Sequence, residues 1–367
     1  MNEKKPVSPT KLPKFVYVLL GVLLLSIAVY VIALISPTFA DFFNTYPGAA
    51  IRALLAWCTN LLPISLAEIF IVSIPALIAI TAILAYKKYC FTWRSSIIFT
   101  VSILSCLSLF FSVFVLGFGC GYHGKSLDKK LGLDKKAVSP EELEATALWL
   151  VEELNGMIDE ISFKEDNFSD MPYNVYKMNG KLLDAYDKIC DEYPFVQDLY
   201  SQIKPVILSE AMSYTHITGV YTYFTGEANL NVNFPDYTLP YTAAHELAHQ
   251  RGIAREDEAN FIAFLVCDRS DDIYIRYSGY LNLYEYVASA LSAQPEAYQR
   301  VRSQLDSRII NEMRAYSAFF DKYRHSTAGK VSETVNNTYL QVQGTVGTKS
   351  YGMVVDLAVA HYLSENS

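Results

Sequence analysis

Cysteine is scarce, six in 367 residues, and three of them (Cys58, Cys90 and Cys106) lie in or beside apolar stretches. The other three, Cys120, Cys190 and Cys267, are an odd set, so no disulfide framework is implied. Acid is almost missing from the first 118 positions, which hold Glu3, Asp41 and Glu68 against eight Lys and Arg, a balance of +5. The remainder carries 22 basic and 35 acidic side chains, a balance of −13. That deficit argues against nucleic acid as a partner, because phosphate contacts need a basic surplus. No internal repeat is present.

What the chain does have is long apolar runs. Residues 15–36 and 96–118 contain no charge, and 67–86 contain only Glu68 near one end. Each is close to the roughly 20 residues that span a bilayer, so three transmembrane helices are expected, with the lipid bilayer as a partner. Lys4, Lys5, Lys11 and Lys14 precede the first, and Lys87, Lys88 and Arg94 separate the second from the third. Only Arg52 sits in the first loop, so the positive-inside rule places the N-terminus in the cytoplasm and everything after Phe118 outside. The first run exceeds the apolar core of a signal peptide, although Thr38-Phe39-Ala40 faintly resembles a cleavage site.

Between the first two spans, Ile51, Leu54, Leu55, Cys58 and Leu62 fall at helical spacing, which reads as an interfacial or re-entrant helix, or else a tight packed loop. Glu68 reads as facing the membrane interface. Residues 119–138 form a basic juxtamembrane connector, where lysines serve solvation or headgroup contact. Ser139-Pro140-Glu141-Glu142 then opens a helix as a capping box. Helical patterns cover about 175–191 and 195–210, strand-like residues 216–224 and 229–233 flank Gly226, and helices follow at 256–269, 272–293, 295–323 and 350–363.

The informative stretch is residues 241–262. His245-Glu246-Leu247-Ala248-His249 has the HExxH pattern. On a helix, positions i and i+4 share a face, so both imidazoles can bind one Zn²⁺ while Glu246 reaches a water on the metal. Pro240 can begin that helix and Gly252 can end it. A catalytic zinc takes three protein ligands, and Glu256, Asp257 and Glu258 are all close in sequence. A helix starting near Arg255 makes Glu256 the first choice, with Asn260 four residues on to orient a histidine from behind; Glu258 is the alternative, about 200° away. A buried hydrogen-bond network or a closed structural metal site is the competing reading of the constellation. His123, His216, His325 and His361 stand alone and read as packing residues. Among the 27 tyrosines, Tyr351 is a candidate oxyanion stabiliser.

Thr225-Gly226-Glu227-Ala228-Asn229, Leu239-Pro240, His245 through Gly252, and Glu256-Asp257-Glu258-Ala259-Asn260-Phe261 together resemble the bacterial domain-of-unknown-function family 3810. The resemblance extends to Pro63-Ile64-Ser65 with Glu68, to Leu131-Gly132-Leu133-Asp134, and to Tyr339-Leu340, Gly344, Ser350-Tyr351-Gly352 and Val354-Val355-Asp356-Leu357. That family is itself similar to zincin metallopeptidases. In the gluzincin branch a Glu-x-x-x-Asp element supplies the third ligand and a histidine-orienting carboxylate; here Asn260 stands in the Asp position and brings no negative charge. A metzincin third ligand would fall on Arg255, which cannot bind zinc.

The expected architecture is a mainly α membrane protein: residues 1–118 as a membrane domain, 119–138 as connector, and 139–367 as an α+β, gluzincin-like extracytoplasmic domain with a small β ribbon. The expected function is zinc-dependent peptide hydrolysis of polypeptides outside the cytoplasm, with one Zn²⁺ on His245, His249 and Glu256 and with Glu246 as general base. A ribbon at 217–233 beside the metal helix would receive an extended peptide, as the zincin resemblance implies. The alternative is a zinc-binding membrane sensor or scaffold that turns over nothing. An intramembrane protease is disfavoured, because HExxH lies far beyond the last span in charged sequence.

Overall fold

The computed structural model of the chain describes residues 10–88 and 92–366; Lys4, Lys5 and Cys90 lie outside them, as do the side chains of Lys88 and Tyr351. The chain begins with α1 (Lys14–Ile35), α2 (Pro37–Phe43), a wide π-type turn at Asn44–Gly48, α3 (Ala49–Thr59), α4 (Leu66–Lys88) and α5 (Trp93–Gly117). Among the described residues α1, α4 and α5 are long and apolar enough to cross a membrane, as the runs of sequence predict. α1 packs along α5. There the hydroxyls of Ser26, Ser102 and Ser105 donate to carbonyls four residues back, which satisfies them without water. α4 stands almost wholly exposed.

α3 is helical as its spacing predicts, and its apolar stripe faces outward, as an interfacial helix requires. It buries Arg52, Ala56 and Thr59 and exposes Leu54 and Trp57. The polar face turns inward because the later part of the chain packs on it, and the apolar face is left to the surroundings of the spans.

Beyond α5 come a 3₁₀ turn (Gly119–His123), α6 (Leu127–Leu131), α7 (Pro140–Met157) and α8 (Val175–Glu192). The connector is tied down: Lys130 pairs with Asp41 at 3.0 Å and Lys135 with Asp356 at 3.6 Å. The capping box of α7 forms as read, with Ser139 Oγ accepting from Glu142 N–H and Glu142 Oε2 from Ser139 N–H. β1 (Lys204–Pro205), α9 (Ser209–Ser213), β2 (Gly219–Thr222), β3 (Glu227–Leu230), α10 (Thr238–Gln250), α11 (Glu256–Asp268), α12 (Ile273–Leu291), α13 (Pro295–Arg302), α14 (Ser307–Asp321), α15 (Thr327–Val342) and α16 (Val354–Glu365) complete the chain.

Two expectations are corrected here, and one helix is added. Residues 195–210 are not a helix but extended chain, β1 and the start of α9. Lys204 pulls that segment against the loop before α4, its ammonium donating to the carbonyls of Thr59 and Leu62. Residues 295–323 are two helices, because Asp306 caps a new one by accepting from Arg308 N–H at 2.8 Å. Residues 327–342, not singled out in the sequence, form α15 behind a Ser326 cap.

The sheet has the order β1-β3-β2, with β1 parallel and β2 antiparallel to β3, so β2 is an edge. It covers α10, whose thirteen residues are all buried among the sheet, α11 and α12. Reciprocal clasps join this body to the spans. The Glu227 carboxylate accepts the N–H groups of Leu66 and Ala67 at the start of α4, at 3.1 and 2.9 Å. Glu68, read as facing the interface, accepts those of Ile207 and Leu208 at 2.9 and 2.7 Å. The carboxylate at the N-terminus of one element thus satisfies the other's free donors.

Candidate metal centre

His245, Glu246 and His249 lie on α10, and Glu256 is the first residue of α11. Between the helices the chain reverses within six residues, through Gly252 at φ +93°. The reversal brings Glu256 Oε2 to 3.2 Å from His245 Nε2 and 3.4 Å from His249 Nε2. Ligand atoms of the three residues lie within 4.8 Å of one another, the only such group of metal-binding type found among the described residues. Glu258 is engaged elsewhere, accepting from Arg255 Nη1 at 2.8 Å and Leu127 N–H at 2.9 Å. Of the two glutamates left open by the sequence, Glu256 is the one that meets both histidines.

The donor set suits a divalent metal. His249 Nδ1 lies 2.7 Å from the Ile253 carbonyl, which accepts only if Nδ1 carries the proton, leaving the Nε2 lone pair for the shared point. His245 Nδ1 is buried with no hydrogen-bond partner among the described residues. Asn260 does not fill that role: its Nδ2 donates to Tyr286 Oη at 3.3 Å. One turn beyond Glu256, its side chain leans toward α12 rather than back to α10. The oxyanion role assigned to Tyr351 falls on a side chain outside the described residues.

Electrostatics follow from this packing. Burial alone would raise the Glu256 carboxyl, but the two imidazoles hold it well below the usual carboxylate range. Burial would lower His249, yet the Glu256 carboxylate beside it pushes it up to about 9. Burial raises Glu246, partly opposed by the histidines and by a hydrogen bond from the Tyr221 backbone. The last bond locates β2. Asn231 N–H donates to Thr218 C=O and Gly226 N–H to Thr222 C=O, so alternation turns the N–H and C=O of Gly219 and Tyr221 to the unpaired edge. Gly219 passes so close that a Cβ there would sit 2.7 Å from Glu246 Cγ.

Several residues around the site are not read as part of it from the sequence. Arg52, 1% exposed, donates to Gln197 Oε1, to Asn44 Oδ1 and O, and to Gly117 O. Asn44 Nδ2 in turn donates to the carbonyl of Gly252 at 3.0 Å. The loop between the first two spans thereby grips the turn joining the histidine helix to the glutamate helix. Phe118, just past the end of α5, lies edge-on to His249 with centroids 5.8 Å apart. Tyr339 of α15 meets Tyr122 hydroxyl to hydroxyl at 3.2 Å, near enough to Glu256 for the two to interact electrostatically.

No curated protein and no solved structure matches the chain. The family described as "Protein of unknown function (DUF3810)" matches residues 44–359, from the asparagine that holds the Gly252 carbonyl to within α16, and the chain belongs to that family.

Proposed function

We propose that this protein is a membrane-anchored, zinc-dependent metallopeptidase with a gluzincin-like site. The convergence of His245, His249 and Glu256 beside a carboxylate, Glu246, that no metal needs as a ligand carries the reading. Zinc bound there supplies a Lewis acid that brings a water's pKa toward about 7 and polarises a carbonyl. Glu246 takes the water's proton and delivers it to the departing amine as the C–N bond breaks. Its burial suits that work, because a raised carboxyl pKa makes it a better base and keeps it able to give the proton back. The Tyr221 N–H is turned toward the carboxylate, and the outward N–H and C=O of Gly219 and the C=O of Tyr221 pair with an extended peptide.

The charge asymmetry orients the protein. Lys11, Lys14, Lys87 and Arg94 lie at the end of the spans remote from the metal centre, and Arg52, the cation of the first loop, is buried in protein contacts. The N-terminus is then cytoplasmic and the metal centre extracytoplasmic. A zinc-binding sensor or scaffold is the second reading, favoured by the burial of His245, Glu246, His249 and Glu256 below 10% exposure. The two separate on one comparison: purified protein and its Glu246→Gln variant, zinc by elemental analysis, and cleavage of an unfolded casein. Equal zinc with cleavage lost only in the variant supports the peptidase. Equal zinc with no cleavage in either supports the sensor, and no zinc in either removes both.

A further inference from the structure

The hairpin whose first strand borders Glu246 runs down the side of a membrane span. Tyr221 packs on Phe118 with centroids 5.2 Å apart, Tyr223 on Phe114 at 5.2 Å, and Phe224 on Phe110 at 5.5 Å. As the ribbon residue number rises, the partner on α5 falls by one helical turn at a time. Phe224 also meets Phe70, in the second turn of α4, at 5.5 Å, so the tip of the ribbon is wedged between the outer ends of two spans. Phe110 lies seven residues before the end of α5, a depth of about 10 Å at the helical rise. At the other end of the same strand, Gly219 touches Glu246, and the aromatic row finishes on His249.

A peptide that adds to an edge strand must lie along it. Here the edge points from the metal centre toward the bilayer: β2 runs Gly219–Thr222, about 10 Å of extended chain, and the turn beyond it carries Tyr223 and Phe224 to the spans. We infer that the substrate is a polypeptide anchored in the membrane, cut within about four residues of its apolar anchor. The inference rests on the peptidase reading and names its substrate class. A freely soluble polypeptide would have to push its own polar backbone toward the hydrocarbon to use the same edge, which is costly without partners. An anchored one already leaves the bilayer along that line.

The test uses full-length, zinc-loaded protein in lipid nanodiscs and a polypeptide of identical casein-derived repeats, either free or fused to a Leu/Ala helix of about 20 residues. Identical repeats cancel sequence preference, so cut positions found by mass spectrometry report geometry alone. The expected result is cleavage confined to the repeat next to the helix, within about four residues of it, with kcat/KM about tenfold or more above that of the free polypeptide. Cuts spread evenly over the repeats, or equal turnover of both forms, overturn the anchored substrate and leave the peptidase standing. No cleavage of either form by the zinc-loaded protein overturns the peptidase, and this inference with it. A second readout does not depend on turnover: in the Glu246→Gln protein, a photo-crosslinker about two residues from the anchor should attach to residues 217–224. Crosslinking of the free and anchored forms at equal yield, or elsewhere on the surface, counts against the proposal.

Discussion

Arg52 and Gly252 meet guanidinium to backbone: a Cβ on Gly252 would lie 2.5 Å from Arg52 Nη2 and 2.7 Å from its Cζ. With φ at +93° as well, the position excludes every side chain by both conformation and space. Gly252→Ala is expected to cost about 2–4 kcal/mol, read as a lowered melting temperature in detergent. Arg52→Lys should lose a similar amount, about 2–4 kcal/mol, because one ammonium cannot serve Asn44, Gly117 and Gln197 at once. Both variants should also bind zinc more weakly, and unchanged zinc retention after dialysis would show that the grip on the turn does not reach the ligands.

The two glutamates of α11 should separate cleanly. Glu256→Gln is expected to lose most of the bound zinc, whereas Glu258→Gln keeps it and loses about 1–3 kcal/mol of stability with its Arg255 and Leu127 partners. Elemental analysis of the two purified variants decides it; zinc lost from Glu258→Gln alone would reverse the assignment.

A pH effect should arise away from the metal. Burial pushes the Glu285 carboxyl up to about 7, the Tyr237 hydroxyl at 3.4 Å opposing and the Glu312 charge adding. A carboxyl raised by folding holds its proton more tightly in the folded state. Its contribution is therefore intact below about 4.5 and is lost as pH rises through about 7. Glu285→Gln should flatten the fall in melting temperature between pH 5 and 7, a difference of about 1–3 kcal/mol at the upper end. Parallel pH curves for the two proteins would contradict it.

Sidedness can be read with a membrane-impermeant maleimide. Glu296 is exposed at the start of α13, in the part of the chain that carries the candidate metal centre, and Thr10 is exposed before α1. In intact cells, with the native cysteines replaced by serine, Glu296→Cys should label from outside and Thr10→Cys only after the membrane is opened. The reverse pattern would invert the proposed orientation.

What was legible in the sequence was local. The three spans follow from uninterrupted apolar length, His245 and His249 meet because four residues make about one helical turn, and Glu256 could be preferred once α11 was placed to start beside it. What was missed depends on distant partners or on backbone. Nothing near Arg52 in sequence announces Gly252, 200 residues away, and the Ile253 carbonyl that sets the His249 tautomer is an atom every residue type possesses. Residues 195–210 misread as a helix because their apolar spacing is helical, while the force that extends them comes from Lys204 reaching the loop before α4. Asp306 was a readable stop signal that the long apolar pattern around it outweighed.

The grip of Asn44 and Arg52 on the turn after His249, together with the Glu227 and Glu68 clasps, means that the anchor is not a tether. A truncation that begins after α5 would discard the partners of Glu227 and of the Gly252 carbonyl, leaving buried acceptors and donors bare. The part of the chain that carries His245, His249 and Glu256 is therefore not portable: it cannot be moved onto another anchor, or expressed without its own, and keep the same geometry at the histidines.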